Sequence, residues 1–284
     1  MIQPVQHHFS SQRLDLTYWT WGKPGRPTVI MQHGGRDHAR SWDRIATALA
    51  EQYYVITPDL RGHGDSQWEK GGEYSLRQYV IDFLTLVGRV GSPVHVIAHS
   101  FGGLIVYLAA GTAPDQFRSI VSIEGRVSGK SISPLTPEGM RRYRELRQRL
   151  ERRASHVYTN LEAAAQRMRE AKPRLSPEQS FHLARHGTRA VKGGCVWKFD
   201  NWARPGVRHD DISTEEVRGF MAAITCPVLL IMGEHSWAKR GMQDVAGHFA
   251  QGHAVIIPDA GHWVHLDAPE RVLEEVRAHL KNTP

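Results

Sequence analysis

Cysteine is nearly absent: Cys195 and Cys226 are the only two in 284 residues, and neither stands in a CxxC or Cys/His metal spacing. That excludes a disulfide framework, and both are expected to be reduced thiols in a cytoplasmic protein. No apolar run approaches the roughly 20 residues that cross a bilayer. Met1 to Ser10 lacks a basic stretch followed by an apolar one, so neither a membrane span nor a secretory leader is expected. Internal repeats and low-complexity tracts are missing too. Acidic residues are sparse in one place. The formal charge is +7, yet the Lys and Arg excess is concentrated between Arg126 and Arg208, and the rest of the chain is net acidic.

What is present is enough apolar sequence, 40% of residues, to bury one substantial core. Short β-rich runs alternate with helical patterns, which argues for an α/β fold with a mainly parallel sheet covered on both faces. Strands are expected at Val5 to Phe9, Leu14 to Trp21, Thr28 to Gln32, Tyr54 to Pro58, Val94 to Ala98, Ile120 to Ile123, Pro227 to Met232 and Ala254 to Ile257. Helices are expected near Ser41 to Glu51, Ser75 to Val90, Leu104 to Ala110, Met242 to Ala250 and Pro269 to Lys281, the last with Asp267 as N-cap. Between Ile123 and Pro227 the alternation breaks into about 90 Arg-rich, mostly helical residues, the pattern of an inserted cap.

Ala98-His99-Ser100-Phe101-Gly102 lies where an apolar strand runs into an apolar helix. Small residues two before and two after a serine suit the strained turn that lifts a nucleophile out of a sheet, with Ala98 replacing the more usual glycine. A serine hydroxyl attacks only when a base takes its proton. His262, in Gly261-His262-Trp263 after the last expected strand, falls at the same sheet edge and in the right order to be that base. His33-Gly34-Gly35 follows the third strand, where a glycine loop can point an amide at a developing oxyanion. The amides of Gly35 and Phe101 are the expected hole.

Together with Asp59-Leu60-Arg61-Gly62-His63-Gly64-Asp65-Ser66, these motifs run in order along nearly the whole chain and resemble the α/β-hydrolase superfamily. The resemblance implies an eight-stranded, mostly parallel sheet flanked by helices with a helical cap, and a Ser-His-acid triad. The core would be residues 1–125 and 221–284 and the cap 126–220. Asp59 and Arg61 would be architectural. One element departs from the pattern. Most members that look like this carry an Asp where this chain reads Ser236, in Gly233-Glu234-His235-Ser236-Trp237, and serine cannot stabilise an imidazolium. Glu124 and Glu234 compete for the role. Glu124 is preferred, since some dehalogenases, the zearalenone lactonases and the quinolone dioxygenases place their acid after that earlier strand.

In the cap, Met140, Tyr143, Leu146 and Leu150 recur at helical spacing among seven arginines from Arg141 to Arg153. Glu138, Glu145 and Glu151 favour a solvated, locally paired face over recruitment of an anion, and no nucleic-acid motif accompanies it. Trp197, Phe199 and Trp202 read equally as pocket wall or as packing. His33, His99, Trp197, Trp202 and Trp263 are the candidate substrate contacts. The expected chemistry is acyl transfer from a small-molecule ester or lactone to water, in the class of carboxylic ester hydrolases. It requires no metal or organic cofactor and involves neither nucleic acid nor membrane, and oligomeric state is left open. Serine at position 100 excludes the aspartyl-ester chemistry of epoxide hydrolases. Carbon–carbon hydrolysis, a cofactor-free dioxygenase in which the serine only binds substrate, and a slowly hydrolysing receptor remain as alternatives.

Overall fold

Successive strand residues point to opposite faces, so a strand covered on both sides must be apolar throughout. The computed structural model, which describes residues 3–71, 73–125, 136–203, 212–236 and 242–283, shows that consequence directly. Val29, Met31, Val55, Ile97, Val121, Leu229 and Ile231 face one buried cluster. Their neighbours Ile30, Ile56, Val96, Ala98, Ile120, Leu230 and Met232 face the other.

In chain order the elements are β1 (Val5–Ser11), β2 (Leu14–Trp21), β3 (Thr28–Gln32), α1 (Asp43–Leu49), β4 (Tyr54–Pro58), α2 (Leu76–Val90), β5 (Val94–His99), α3 (Phe101–Thr112) and β6 (Phe117–Ile123). The segment after β6 holds α4 (Pro137–Glu151), α5 (Leu161–Ala171), α6 (Pro177–Gly187), β7 (Thr188–Val191), β8 (Gly194–Trp197) and α7 (Thr214–Ala222). Then come β9 (Val228–Gly233), α8 (Met242–Ala246), β10 (Gly252–Ile257), α9 (Val264–Asp267) and α10 (Pro269–Lys281). The eight-stranded sheet has the order β1-β2-β4-β3-β5-β6-β9-β10. β2 is antiparallel to both β1 and β4, and the remaining pairs are parallel. This is the α/β-hydrolase architecture. α1 and α10 cover one face and α2 and α3 the other.

Local chemistry sets the helix ends. Ser75 caps α2 through a capping box with Gln78. At α10 the expected cap fails: the N-cap is Ala268, which makes no side-chain hydrogen bond. The Asp267 carboxylate instead accepts from the Gly261 amide at 2.8 Å, one residue before His262. α3 begins at Phe101 rather than Leu104. Its first ten residues are all buried, so it has no polar face from which to read its start.

The segment between β6 and β9 is less uniformly helical than expected. β7 and β8 form an antiparallel hairpin around Lys192-Gly193-Gly194, with Gly193 at φ 89°. Only glycine takes such a turn without strain, and this signal was hidden among basic residues. On α4, Leu150 is buried and Tyr143 and Leu146 half-buried, but Met140 is 47% exposed and lies outside the packed stripe. Val217 and Met221 of α7 join the buried cluster of α2 and α3. α7 thus packs on the core at residues 217 and 221, on both sides of the expected cap boundary at 220. Residues 126–135 and 204–211 of that segment lie outside the described residues. No helix among the described residues is long and apolar enough to cross a membrane.

Candidate active site

β5 delivers Ser100 to the C-terminal edge of the sheet and forces it into φ 51°, ψ −112°. A non-glycine residue adopts that geometry only where its surroundings impose it. The Ser100 amide donates to the Ile123 carbonyl at 2.9 Å, and the Ser100 carbonyl accepts from Gly103 at 3.0 Å. Close backbone approach does the rest. A Cβ on Gly102 would fall 2.6 Å from the His33 carbonyl oxygen, and one on Gly34 would fall 3.2 Å from Ser100 Cβ. The loop after β3 is therefore held against the serine turn.

His262 sits between β10 and α9. Its Nε2 lies 3.1 Å from Ser100 Oγ and its Nδ1 lies 3.2 Å from Glu124 Oε2. A carboxylate only accepts, so Nδ1 carries the proton and Nε2 is left basic toward the serine. Glu124 ends β6 at φ 55° and is buried. Its Oε1 accepts from the Gly233 amide at 2.7 Å and its Oε2 from Ser236 Oγ at 2.5 Å. Ser236, where the resemblance to the superfamily leads one to expect the acid, thus orients the carboxylate that follows β6. Glu234, the competing carboxylate, is exposed, and its Oε2 accepts from the Asp259 amide at 3.1 Å, joining two surface loops.

The structure brings Ser100, His262 and Glu124 together and rearranges the other candidates. His33 is fully buried; its Nδ1–H donates to the Gly34 carbonyl at 2.7 Å and its Nε2 accepts from the Leu60 amide at 3.0 Å. With no exposed surface it holds the loop from inside, and burial lowers its pKa. His99 is likewise buried. Its Nε2–H donates to the His262 carbonyl at 2.9 Å, and burial, with His265 and His262 nearby, holds its pKa well below the ordinary value. Trp197 and Trp263 line a cavity of about 680 Å³ that also takes in Gly35, Tyr158 and Phe199. Trp202 is not among its lining residues and packs instead on the core cluster under the Arg147 guanidinium, 3.5 Å from the ring centroid.

The Phe101 amide opens α3, among the first-turn N–H groups that have no acceptor within their own helix. Arg61 is fully buried and fixed by Asp82 at 2.6 and 2.8 Å and by Glu69 at 2.9 Å. Asp59 accepts from the Ala39 and Asp65 amides, while burial pushes its carboxyl up to about 7. Both are structural. Asp37, His99 and His265 bring one donor atom each within 4.8 Å of one another, a set able to hold a divalent ion. Lys172 already supplies positive charge facing Asp37.

Sequence and structure comparisons place the chain among known proteins. The family model described as "Alpha/beta hydrolase family" matches residues 29–275. "Esterase Rv0045c" of Mycobacterium tuberculosis is 28% identical over 276 residues, covering 92% of this chain and 84% of the relative. "Serine hydrolase-like protein 2" of Homo sapiens is 27% identical over 285 residues, covering 93% and 90%. The solved structure described as "Thioesterase Domain From Curacin Biosynthetic Pathway" superposes with a TM-score of 0.86 at 22% identity, over 97% of this chain and 99% of that one.

Proposed function

Because the chain belongs to the alpha/beta hydrolase family, we propose that it is a serine hydrolase that cleaves a small-molecule carboxylic ester or lactone through an acyl-enzyme on Ser100. The observation that carries this reading is the continuous relay from Ser100 Oγ through His262 to Glu124, with contacts of 3.1 and 3.2 Å. As Ser100 Oγ attacks the carbonyl carbon, its proton passes to His262 Nε2 and the carbonyl oxygen takes up negative charge. The amides of Gly35 and Phe101 meet that charge in the proposed oxyanion hole. The Glu124 carboxylate stabilises the imidazolium, which then protonates the leaving alkoxide. Water, deprotonated by His262, releases the acid and regenerates the serine. The names of the two relatives, an esterase and a serine hydrolase-like protein, favour this chemistry.

Stopped-flow mixing with p-nitrophenyl butyrate tests the reading. A burst of one p-nitrophenolate per active chain, followed by slower turnover and abolished in Ser100→Ala, is expected. Turnover that survives in Ser100→Ala would overturn it.

A further inference from the structure

The cavity that opens beside Gly35 and Trp263 has an unbalanced wall. Its described lining includes Arg36, Arg153, Arg167 and Lys172, and no carboxylate. Guanidinium groups stay charged at every working pH. Among the described residues their counter-charges include Glu170, which pairs with Arg167 at 3.2 Å in an exposed contact, and Asp37 and Asp267, which face Lys172. An exposed pair of that kind neutralises little.

Tyr158, Trp197, Phe199 and Trp263 add an aromatic side to that wall. Tyr158 meets Trp197 edge-on at 6.0 Å, Trp197 stacks on Phe199 at 6.4 Å, and the Lys172 ammonium lies 4.1 Å from the Trp263 ring centroid. Trp263 in turn meets the His262 ring edge-on at 5.2 Å, and Gly35 of the proposed oxyanion hole also lines the cavity. Aromatic rings beside cations suit a ligand with a hydrocarbon body and an anionic end. A concave wall of one sign also concentrates ligands of the opposite sign.

The geometry points to a substrate whose non-reacting end carries an oxyanion, a carboxylate or a phosphate, held by Arg153 and Arg167 in the cavity that Gly35 and Trp263 also line. This rests on the acyl-enzyme reading above and adds the substrate class. The basic residues of the cap, which the sequence reads as a solvated face, then divide: Arg142 of α4 pairs locally with Glu138, and Arg153 and Arg167 serve the cavity.

A matched pair of esters isolates the charge: mono-p-nitrophenyl adipate and its methyl ester, which share the acyl chain and leaving group and differ only in a methyl cap that removes the negative charge. We expect kcat/KM to favour the anion at least tenfold at about 20 mM salt, with the advantage shrinking toward parity at about 1 M, where screening extends over about 3 Å. In Arg153→Gln/Arg167→Gln the anion-to-neutral ratio should fall at least tenfold. Calorimetry with Ser100→Ala adds a readout independent of turnover, in which adipate and butyl phosphate are titrated separately to distinguish the two oxyanions. Turnover of both esters at equal efficiency, with no anion binding, overturns this inference and leaves the hydrolase reading standing. No turnover of either ester, with anion binding that is lost in the arginine variant, sustains the anion site and overturns the hydrolase reading.

Discussion

Replacing Glu124 with glutamine keeps the shape of the side chain and removes its charge. The effect follows from one distance. With His262 Nδ1 at 3.2 Å, the carboxylate stabilises the imidazolium by about 5 kcal/mol at an effective dielectric of about 20. At 1.36 kcal/mol per decade this corresponds to roughly a 10³- to 10⁴-fold loss in kcat/KM. The assay is p-nitrophenyl butyrate hydrolysis at pH 7.5, with circular dichroism to establish that the variant is folded. Glu234→Gln is the control, because Glu234 is exposed and bonded to the Asp259 amide; its activity should stay within about twofold of wild type. A folded Glu124→Gln that keeps more than a tenth of wild-type activity would refute the reasoning. So would a Glu234→Gln that is as inactive as expected for Glu124→Gln.

Ser236→Ala removes the 2.5 Å donor to the buried Glu124 carboxylate and should cost about 1–3 kcal/mol of stability in urea unfolding; an unchanged midpoint would contradict that role. Gly34→Ala places a Cβ 3.0 Å from His99 Nδ1 and 3.2 Å from Ser100 Cβ, which pushes the Gly35 amide off line. Its kcat should fall roughly 10- to 100-fold with little change in the urea midpoint, and unaltered kcat would count against the oxyanion assignment. Burial holds His38 at about 4 and His265 at about 3, below the unfolded value of 6.5. The unfolded chain therefore binds more protons as pH falls below 6.5, so stability is lost in that direction. At pH 5 each group removes about 2 kcal/mol, and Tm should drop by on the order of 10 °C from its value at pH 7.5. Equal melting temperatures at the two pH values would contradict this.

The sheet was legible because its chemistry is local. Val94 to Ala98 and Thr28 to Gln32 are short runs dominated by β-branched and apolar residues between turn signals, and such runs become strands buried on both faces. The serine turn was legible for a related reason, since Ala98 and Gly102 leave room where a strand and a helix must meet. Glu124 was readable only as one of two options. The choice depends on Gly233 and Ser236 reaching the same carboxylate from β9, a contact across 109 and 112 residues that no local pattern encodes. His33 and His99 read as substrate contacts because they flank the motifs, and their burial against backbone carbonyls appears only after the sheet closes. The β7–β8 hairpin was masked by its short, four-residue strands and basic surroundings.

The central claim is that Ser100 is an activated nucleophile. Intact-mass analysis after treatment with a fluorophosphonate, with peptide mapping of the adduct, tests it most directly. The expected result is one adduct per chain, carried by Ser100, absent in Ser100→Ala and strongly slowed in Glu124→Gln. Folded wild-type protein that takes up no label, or takes it up equally in Ser100→Ala, would contradict the account.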